Sequence, residues 1–131
     1  MAETVYTSPL IDKLGVKPGA RVAVINVADP EFRRLLAERT QDVSEADPLP
    51  DSNLVFVGID DGTELRQLAY LRTRIVSSGA IWVVSRKGKQ ATIRDIEVMA
   101  AAKTIGLVDN KVVAFSSTHT SIRLVIPIAL R

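Results

Sequence analysis

The stretch LGVKPGARVAVINVADPEF, Leu14 to Phe32, decides the fold. Lys17-Pro18-Gly19 reads as a turn, because proline presets φ and glycine supplies the positive φ that tight turns need. Val22 to Val27 follows as a β-branched, almost wholly apolar run. A continuous run, as opposed to an alternating one, suits a strand covered on both faces, as in parallel sheets. Asp29 and Pro30 then open a helix, with an acceptor at the N-cap and a preset φ at the first helical position. Phe32, Leu35 and Leu36 give that helix one buried stripe. Strand, turn and helix in this order make the first unit of an open α/β sheet.

Two more units follow. Leu54 to Ile59 (LVFVGI) is a second buried strand, and Asp60-Asp61-Gly62-Thr63 caps a helix expected to run to about Val76. Its inward face is Leu65, Leu68, Leu71 and Ile75, and Ser77-Ser78-Gly79 reads as the return turn. Ala80 to Val84 (AIWVV) is the third strand, with Trp82 in the core. It leads into the basic loop Ser85-Arg86-Lys87-Gly88-Lys89. Thr92 is expected to cap the next helix, with Ile93, Ile96, Met99 and Ala100 as its apolar side and Gly106 as its stop. Leu107 to Phe115 and Ser121 to Ile128 are two further strands. The five residues between them are too few for a parallel crossover, so the pair is antiparallel. Pro127 fits only a strand end or an edge.

Ahead of these units, residues 1–7 read as a loose arm, and Ser8 to Leu14 as a short helix capped by Ser8 with Pro9 behind it. Thr40 to Asn53 is acidic and holds two prolines; apart from a very short edge strand at Val43 it is the one loop of functional length, and the segment expected to be flexible. The expectation is one α/β domain over residues 1–131, a Rossmann-like three-layer sheet, mostly parallel, closed by a C-terminal antiparallel hairpin.

Composition narrows the chemistry. The chain has no cysteine, which excludes disulfides, thiolate metal sites and a cysteine nucleophile. A single histidine, His119, excludes a multi-histidine metal site within one chain. The first residues carry no signal-peptide pattern, and no run approaches the ~20 apolar residues of a membrane span; the expectation is a cytoplasmic protein. The net charge is +2 but unevenly placed: residues 28–61 hold nine acids and three bases, residues 62–131 four acids and eleven bases. Such asymmetry either steers an anionic partner or makes two solvated faces of opposite sign.

These residues resemble a known family. GVKPGARVAVINVADPEF, LVFVGIDDGTEL, SSGAIWVVSRKGK and GLVDNKVVAFSSTHTSIRLVI are together similar to a small uncharacterised bacterial family of about this length, over Leu10 to Ile126. Its members look like reduced versions of the class I S-adenosylmethionine-dependent methyltransferase fold. The resemblance implies that the strands up to Val84 are the parallel part and the last two strands the reversed hairpin. The chain departs from the family pattern at His119, where a tryptophan is usual, and at Ser85-Arg86, where a Trp-Pro pair is usual; Lys87 matches a basic position. The resemblance implies no agreed activity.

Open α/β sheets bind ligands in the crevice at the carboxyl ends of their strands. Asn26, Asp29, Asp60, Asp61, Ser85 and Arg86 all fall there, although capping is the plain reading for each aspartate. In the methyltransferase fold the first strand-helix turn is rich in glycine so that the backbone can approach the cofactor. Here it reads Asn26-Val27-Ala28-Asp29-Pro30, without glycine, and no well-placed second strand carries an acid for ribose hydroxyls, Glu45 and Asp47 being near only in sequence. S-adenosylmethionine is therefore disfavoured. Arg86, Lys87 and Lys89 around Gly88, with Arg94 nearby, offer a small anion site without Walker spacing. Nucleic acid is disfavoured because stacking platforms are scarce. His119 reads as a solvated turn residue near Ser116, Ser117, Thr118 and Ser121, with neither the carboxylate nor the oxyanion hole that a Ser-His hydrolase needs. The apolar Val112, Val113, Ile122, Leu124, Val125 and Ile126, with the tail from Pro127, suggest a homodimer through the last strands. The reading favoured is a non-enzymatic binding or assembly module with no catalytic residue and no metal. Its crevice is formed by Asn26, Asp29, Asp60, Ser85 and Arg86. The alternative is a divergent methyltransferase-like enzyme or nucleotide binder.

Overall fold

The computed structural model describes residues 10–131. The expected arm at 1–7 and the caps Ser8 and Pro9 lie outside the described residues.

Among the described residues six strands form one sheet in the order β2-β1-β3-β4-β6-β5. They are β1 (Val22–Ile25), β2 (Val43–Glu45), β3 (Ser52–Gly58), β4 (Ile75–Arg86), β5 (Val108–Ala114) and β6 (His119–Val125). The first four are mutually parallel; β6 pairs antiparallel with β4, and β5 pairs antiparallel with β6 at the edge. The mostly parallel sheet with its reversed hairpin is thus the fold the sequence pattern predicts. Helices α1 (Leu10–Lys13) and α2 (Pro30–Arg39) pack on one face; a 3-10 turn (Gly62–Arg66), α3 (Gln67–Arg72) and α4 (Asp95–Thr104) pack on the other.

The uninterrupted apolar runs explain the two cores. Side chains alternate faces along a strand, so Leu54, Phe56, Ala80, Trp82 and Val84 enter the core under α1 and α2. Val55, Val57, Ile81 and Val83 enter the core under α3 and α4. Trp82 is fully buried, lies parallel to Phe56 with ring centroids 6.4 Å apart, and donates its indole N–H to the Leu14 carbonyl at 3.0 Å. Phe32 contacts both Phe56 and Phe115 at 4.9 Å between centroids, fastening α2 to the sheet.

Several element boundaries differ from expectation. β1 stops at Ile25 because Asn26 turns to φ 57°. The helix expected to reach Val76 starts as a 3-10 turn and ends at Arg72; Ile75 is instead the first residue of β4, paired with Ser52. Ser77-Ser78-Gly79 is not a return turn but part of a bulge inside β4. Ile75 pairs with Ser52 and Ala80 with Leu54, so Val76–Gly79 together oppose Asn53 alone. Gly79 is required there: a Cβ would lie 2.8 Å from the Asn53 carbonyl oxygen. α4 is capped at Arg94, not Thr92, with the Glu97 side chain accepting from the Arg94 N–H at 2.8 Å. Ile93 is buried ahead of the helix, whose own buried residues are Val98 and Ala102, and Ile96 is 65% exposed.

The acidic segment contains β2, a three-residue edge strand at Val43 as expected. It is tied to its surroundings by Arg21 to Asp42 and to the Pro50 carbonyl, by Arg74 to the Pro48 carbonyl, and by Tyr70 to Asp47. Thr40 is buried where the segment begins and donates its hydroxyl to the Ala20 carbonyl at 2.6 Å. No helix among the described residues is long and apolar enough to cross a membrane.

Candidate functional site

A cleft of about 330 Å³ opens at the carboxyl ends of β1, β3 and β4, near the lower end of the range for small-molecule pockets. Asn26, Asp29, Asp60 and Arg86 all line it, as the sequence predicts; Ser85 does not. Alternation along β4 sends Val84 and Arg86 into the cleft and turns Ser85 to the opposite face, where it is buried. Lys87 and Lys89 are also outside the lining: Lys87 is half-buried just past β4, its N–H bonded to the Thr118 carbonyl, and Lys89 is exposed.

Backbone geometry shapes the floor. Asn26 adopts the left-handed conformation that asparagine tolerates better than most residues. Its carbonyl oxygen is pressed against β3, where a Cβ on Gly58 would come within 2.1 Å of it. The close approach expected of glycines in the first turn is therefore made by a left-handed asparagine, and the glycine stands on the neighbouring strand. Asp29 caps α2 as expected, accepting from the Phe32 N–H at 3.0 Å. Asp61 also caps, accepting from Thr63 at 2.7 Å, and this backbone hydrogen bond, then that of the Thr63 hydroxyl, holds its carboxyl below the usual range.

Asp60 is not a cap. Its carboxylate pairs with Arg86 Nε at 3.5 Å, while its N–H donates to Glu64. Beyond that ion pair the Arg86 side chain has no hydrogen-bond partner among the described residues, so both terminal nitrogens are free. His119 is not a solvated turn residue either. It begins β6, pairs in register with Arg86 and lines the cleft half-buried. Its Nδ1 is bonded to the Thr118 hydroxyl at 2.8 Å, which leaves Nε2 without a partner among the described residues. Ser116 Oγ accepts from the N–H groups of Thr118 and His119, fixing the hairpin tip over the cleft. Phe115, Thr118 and His119 are the lining residues that the sequence reading missed; the signal for them is the antiparallel register, which sets 119 opposite 86. Arg86 and His119 thus meet in one wall.

A second strand bearing an acid does exist: β2 lies parallel to β1 and ends at Glu45. Glu45 is closed by a bidentate pair with Arg33, at 2.6 and 2.9 Å, and Arg33 Nε also donates to the Val27 carbonyl. That hydrogen bonding holds the Glu45 carboxyl below its ordinary range. Among the described residues no group of three His, Cys, Asp or Glu is placed to hold a metal ion.

Sheet order, reversed hairpin and the position of the cleft define a methyltransferase-like Rossmann α/β protein. Within that class the chain belongs to the family described as Protein of unknown function (DUF3052), which it matches over residues 12–128. No curated protein matches its sequence. Among solved structures it is similar to an S-adenosylmethionine-dependent methyltransferase from Aquifex aeolicus, at 12% identity and TM-score 0.68, covering 90% of this chain and 88% of that one. It is also similar to magnesium protoporphyrin IX methyltransferase from Synechocystis PCC 6803 with bound S-adenosylmethionine, at 9% identity and TM-score 0.65, covering 90% and 74%. A TehB-like methyltransferase from Corynebacterium glutamicum matches at 11% identity and TM-score 0.56, covering 90% and 85%. At such identities the likeness establishes the fold and not the reaction.

Proposed function

We propose that the protein is a non-catalytic binding module whose cleft takes a small carboxylate with a polar or cationic remainder, an amino-acid-type zwitterion. The observation that carries this reading is the state of Arg86. Asp60 lies beside the guanidinium in an ion pair of 3.5 Å, and the free planar fork of Nη1 and Nη2 suits bidentate carboxylate recognition. His119 offers Nε2 beside it, a donor in the tautomer whose Nδ1 accepts from the Thr118 hydroxyl. Asp29 and Asp60 in the same lining oppose a dianion and favour a ligand with a positive end. The Arg33–Glu45 pair supports the reading from the other side, because it occupies the acid that a ribose would need.

The test is a titration of the free amino acids followed by amide chemical shifts. Shifts confined to residues around Asn26, Asp60, Arg86 and His119, weakened about tenfold or more by Arg86→Met, support the reading. No shift with any amino acid at millimolar concentration removes it.

A divergent methyltransferase or nucleotide binder is the second reading, favoured by the fold likeness and by Glu45 ending β2. It requires Glu45 to leave Arg33. Self-association is the assembly side of the proposal. Of the apolar residues expected to drive it, Val113, Ile122, Leu124, Val125 and Ile126 are buried within the chain, Val113 and Val125 in the core under α1 and α2 and the other three in the core under α3 and α4. Val112 on the edge strand and Ile128 and Leu130 in the tail stay exposed. A dimer in light scattering that Val112→Lys dissociates supports this part, and a monomer at micromolar concentration refutes it.

A further inference from the structure

The opposite edge of the sheet carries a second groove, of about 430 Å³, at the amino ends of β1 and β3. One wall is the Gly15–Ala20 loop that leads from α1 into β1, with Lys17 on it. The other wall is the β4 bulge, with Ser78 and Gly79. Bulges of this kind bend a strand to re-aim its residues and are enriched beside sites. Arg123 of β6 closes the groove.

Arg123 is the residue that needs explaining. It is half-buried, at a ladder position between Trp82 and Lys111. Among the described residues it has no carboxylate partner, and its one hydrogen bond is a long one, 3.4 Å, to Asn110 Oδ1. The adjacent acid Asp109 pairs with Leu124 and so belongs to the other face. Burial, and after it the nearby charge of Arg131, hold the guanidinium pKa below its usual value, and the group is still charged at neutral pH. A half-buried guanidinium with no acid beside it costs stability in the free protein, and an anion relieves that cost.

We propose that this groove is a second ligand site, separate from the carboxyl-end cleft, that takes the phosphate group of a small phosphorylated molecule. The Arg123 guanidinium and Lys17 match a dianion, which a carboxylate would leave over-compensated. The bidentate geometry of arginine fits tetrahedral phosphate oxygens, and the Ser78 hydroxyl and Asn53 amide add neutral partners. Among the described residues no aromatic side chain lines the groove, so single-stranded nucleic acid would lack its stacking platform.

Inorganic phosphate is the probe, followed by amide shifts and by thermal unfolding in otherwise phosphate-free buffer. Phosphate is expected to shift the amides of Ser78, Gly79 and Arg123 and to raise the midpoint by mass action. Arg123→Met should weaken that binding about tenfold or more while leaving the phosphate-free midpoint equal or higher, an outcome that a purely structural arginine would not give. Arg86→Met should leave phosphate binding intact, which separates this site from the cleft. The proposal is overturned if Arg123→Met binds phosphate as the wild type does, or if the shifts map to Arg86 and His119. It is also overturned if phosphate is inert and only a single-stranded oligonucleotide binds.

Discussion

Replacing Gly58 by alanine tests how the floor of the cleft is built. A Cβ there would sit 2.1 Å from the Asn26 carbonyl oxygen and 3.1 Å from its carbonyl carbon, whereas ordinary contact begins at 3.4 Å. The Asn26 carbonyl must therefore retreat by about 1.3 Å, the difference between 3.4 and 2.1 Å, against a backbone packed with little free volume. It cannot retreat alone, because the preceding residue, Ile25, is held in register to Val57. The obstacle is backbone and not the end of a flexible side chain, so the cost falls at the upper end of the overpacking range, about 3 kcal/mol. With 131 residues, an unfolding entropy of about 2.1 cal/mol/K per residue gives about 0.28 kcal/mol/K in all. Gly58→Ala should then lower Tm by about 11 °C in scanning calorimetry. Asn26→Gly removes the left-handed strain and should stay within about 0.5 kcal/mol of wild type, while Asn26→Ala should cost about 1 kcal/mol. A Gly58→Ala midpoint within about 3 °C of wild type would mean that β1 and β3 do not approach as described.

Three more expectations can be checked directly. Thr40→Val keeps the shape but leaves the Ala20 carbonyl and the Asp42 N–H without their hydroxyl partner, and should cost about 1–3 kcal/mol in urea unfolding. Trp82→Phe loses the indole bond to Leu14 and part of its packing, and should cost about 2 kcal/mol by the same assay. Stability should fall in acid. Hydrogen bonds to Arg33 and Arg34 depress the Glu45 and Glu31 carboxyls, and Thr63 depresses Asp61. Groups whose folded pKa is lowered stabilise above the unfolded carboxylate range, about 4, and lose that contribution as pH falls through the folded values. Arg33→Met should flatten the decline, read as urea midpoints between neutral pH and about pH 3.

The strands were legible because buried parallel strands write themselves as unbroken β-branched runs, and the reversed hairpin because five residues cannot make a crossover. Asp29 was legible as a cap, and four of the five crevice residues by their place at strand ends. What failed depended on partners distant in sequence. Gly79 carries the same turn signal in a bulge as in a return turn, and only the pairing of Ile75 with Ser52 distinguishes them. Asp60 and Asp61 are equivalent as cap signals until Arg86 is placed beside the first. The acid at Glu45 and its closure by Arg33 required the edge strand β2, three residues long and without a clear apolar pattern. Ser85 and His119 were misplaced for related reasons: alternation turned one away, and the register of the hairpin brought the other in.

The central claim is that the cleft reads a zwitterionic head and not an adenosyl group. Titration calorimetry with S-adenosylhomocysteine beside the free amino acids tests it most directly. The expected result is binding of at least one amino acid, weakened by Arg86→Met, with no gain in affinity from the adenosyl half. Tighter binding of S-adenosylhomocysteine than of any free amino acid, lost in Glu45→Gln, would contradict the claim and return the protein to the cofactor chemistry of its structural neighbours.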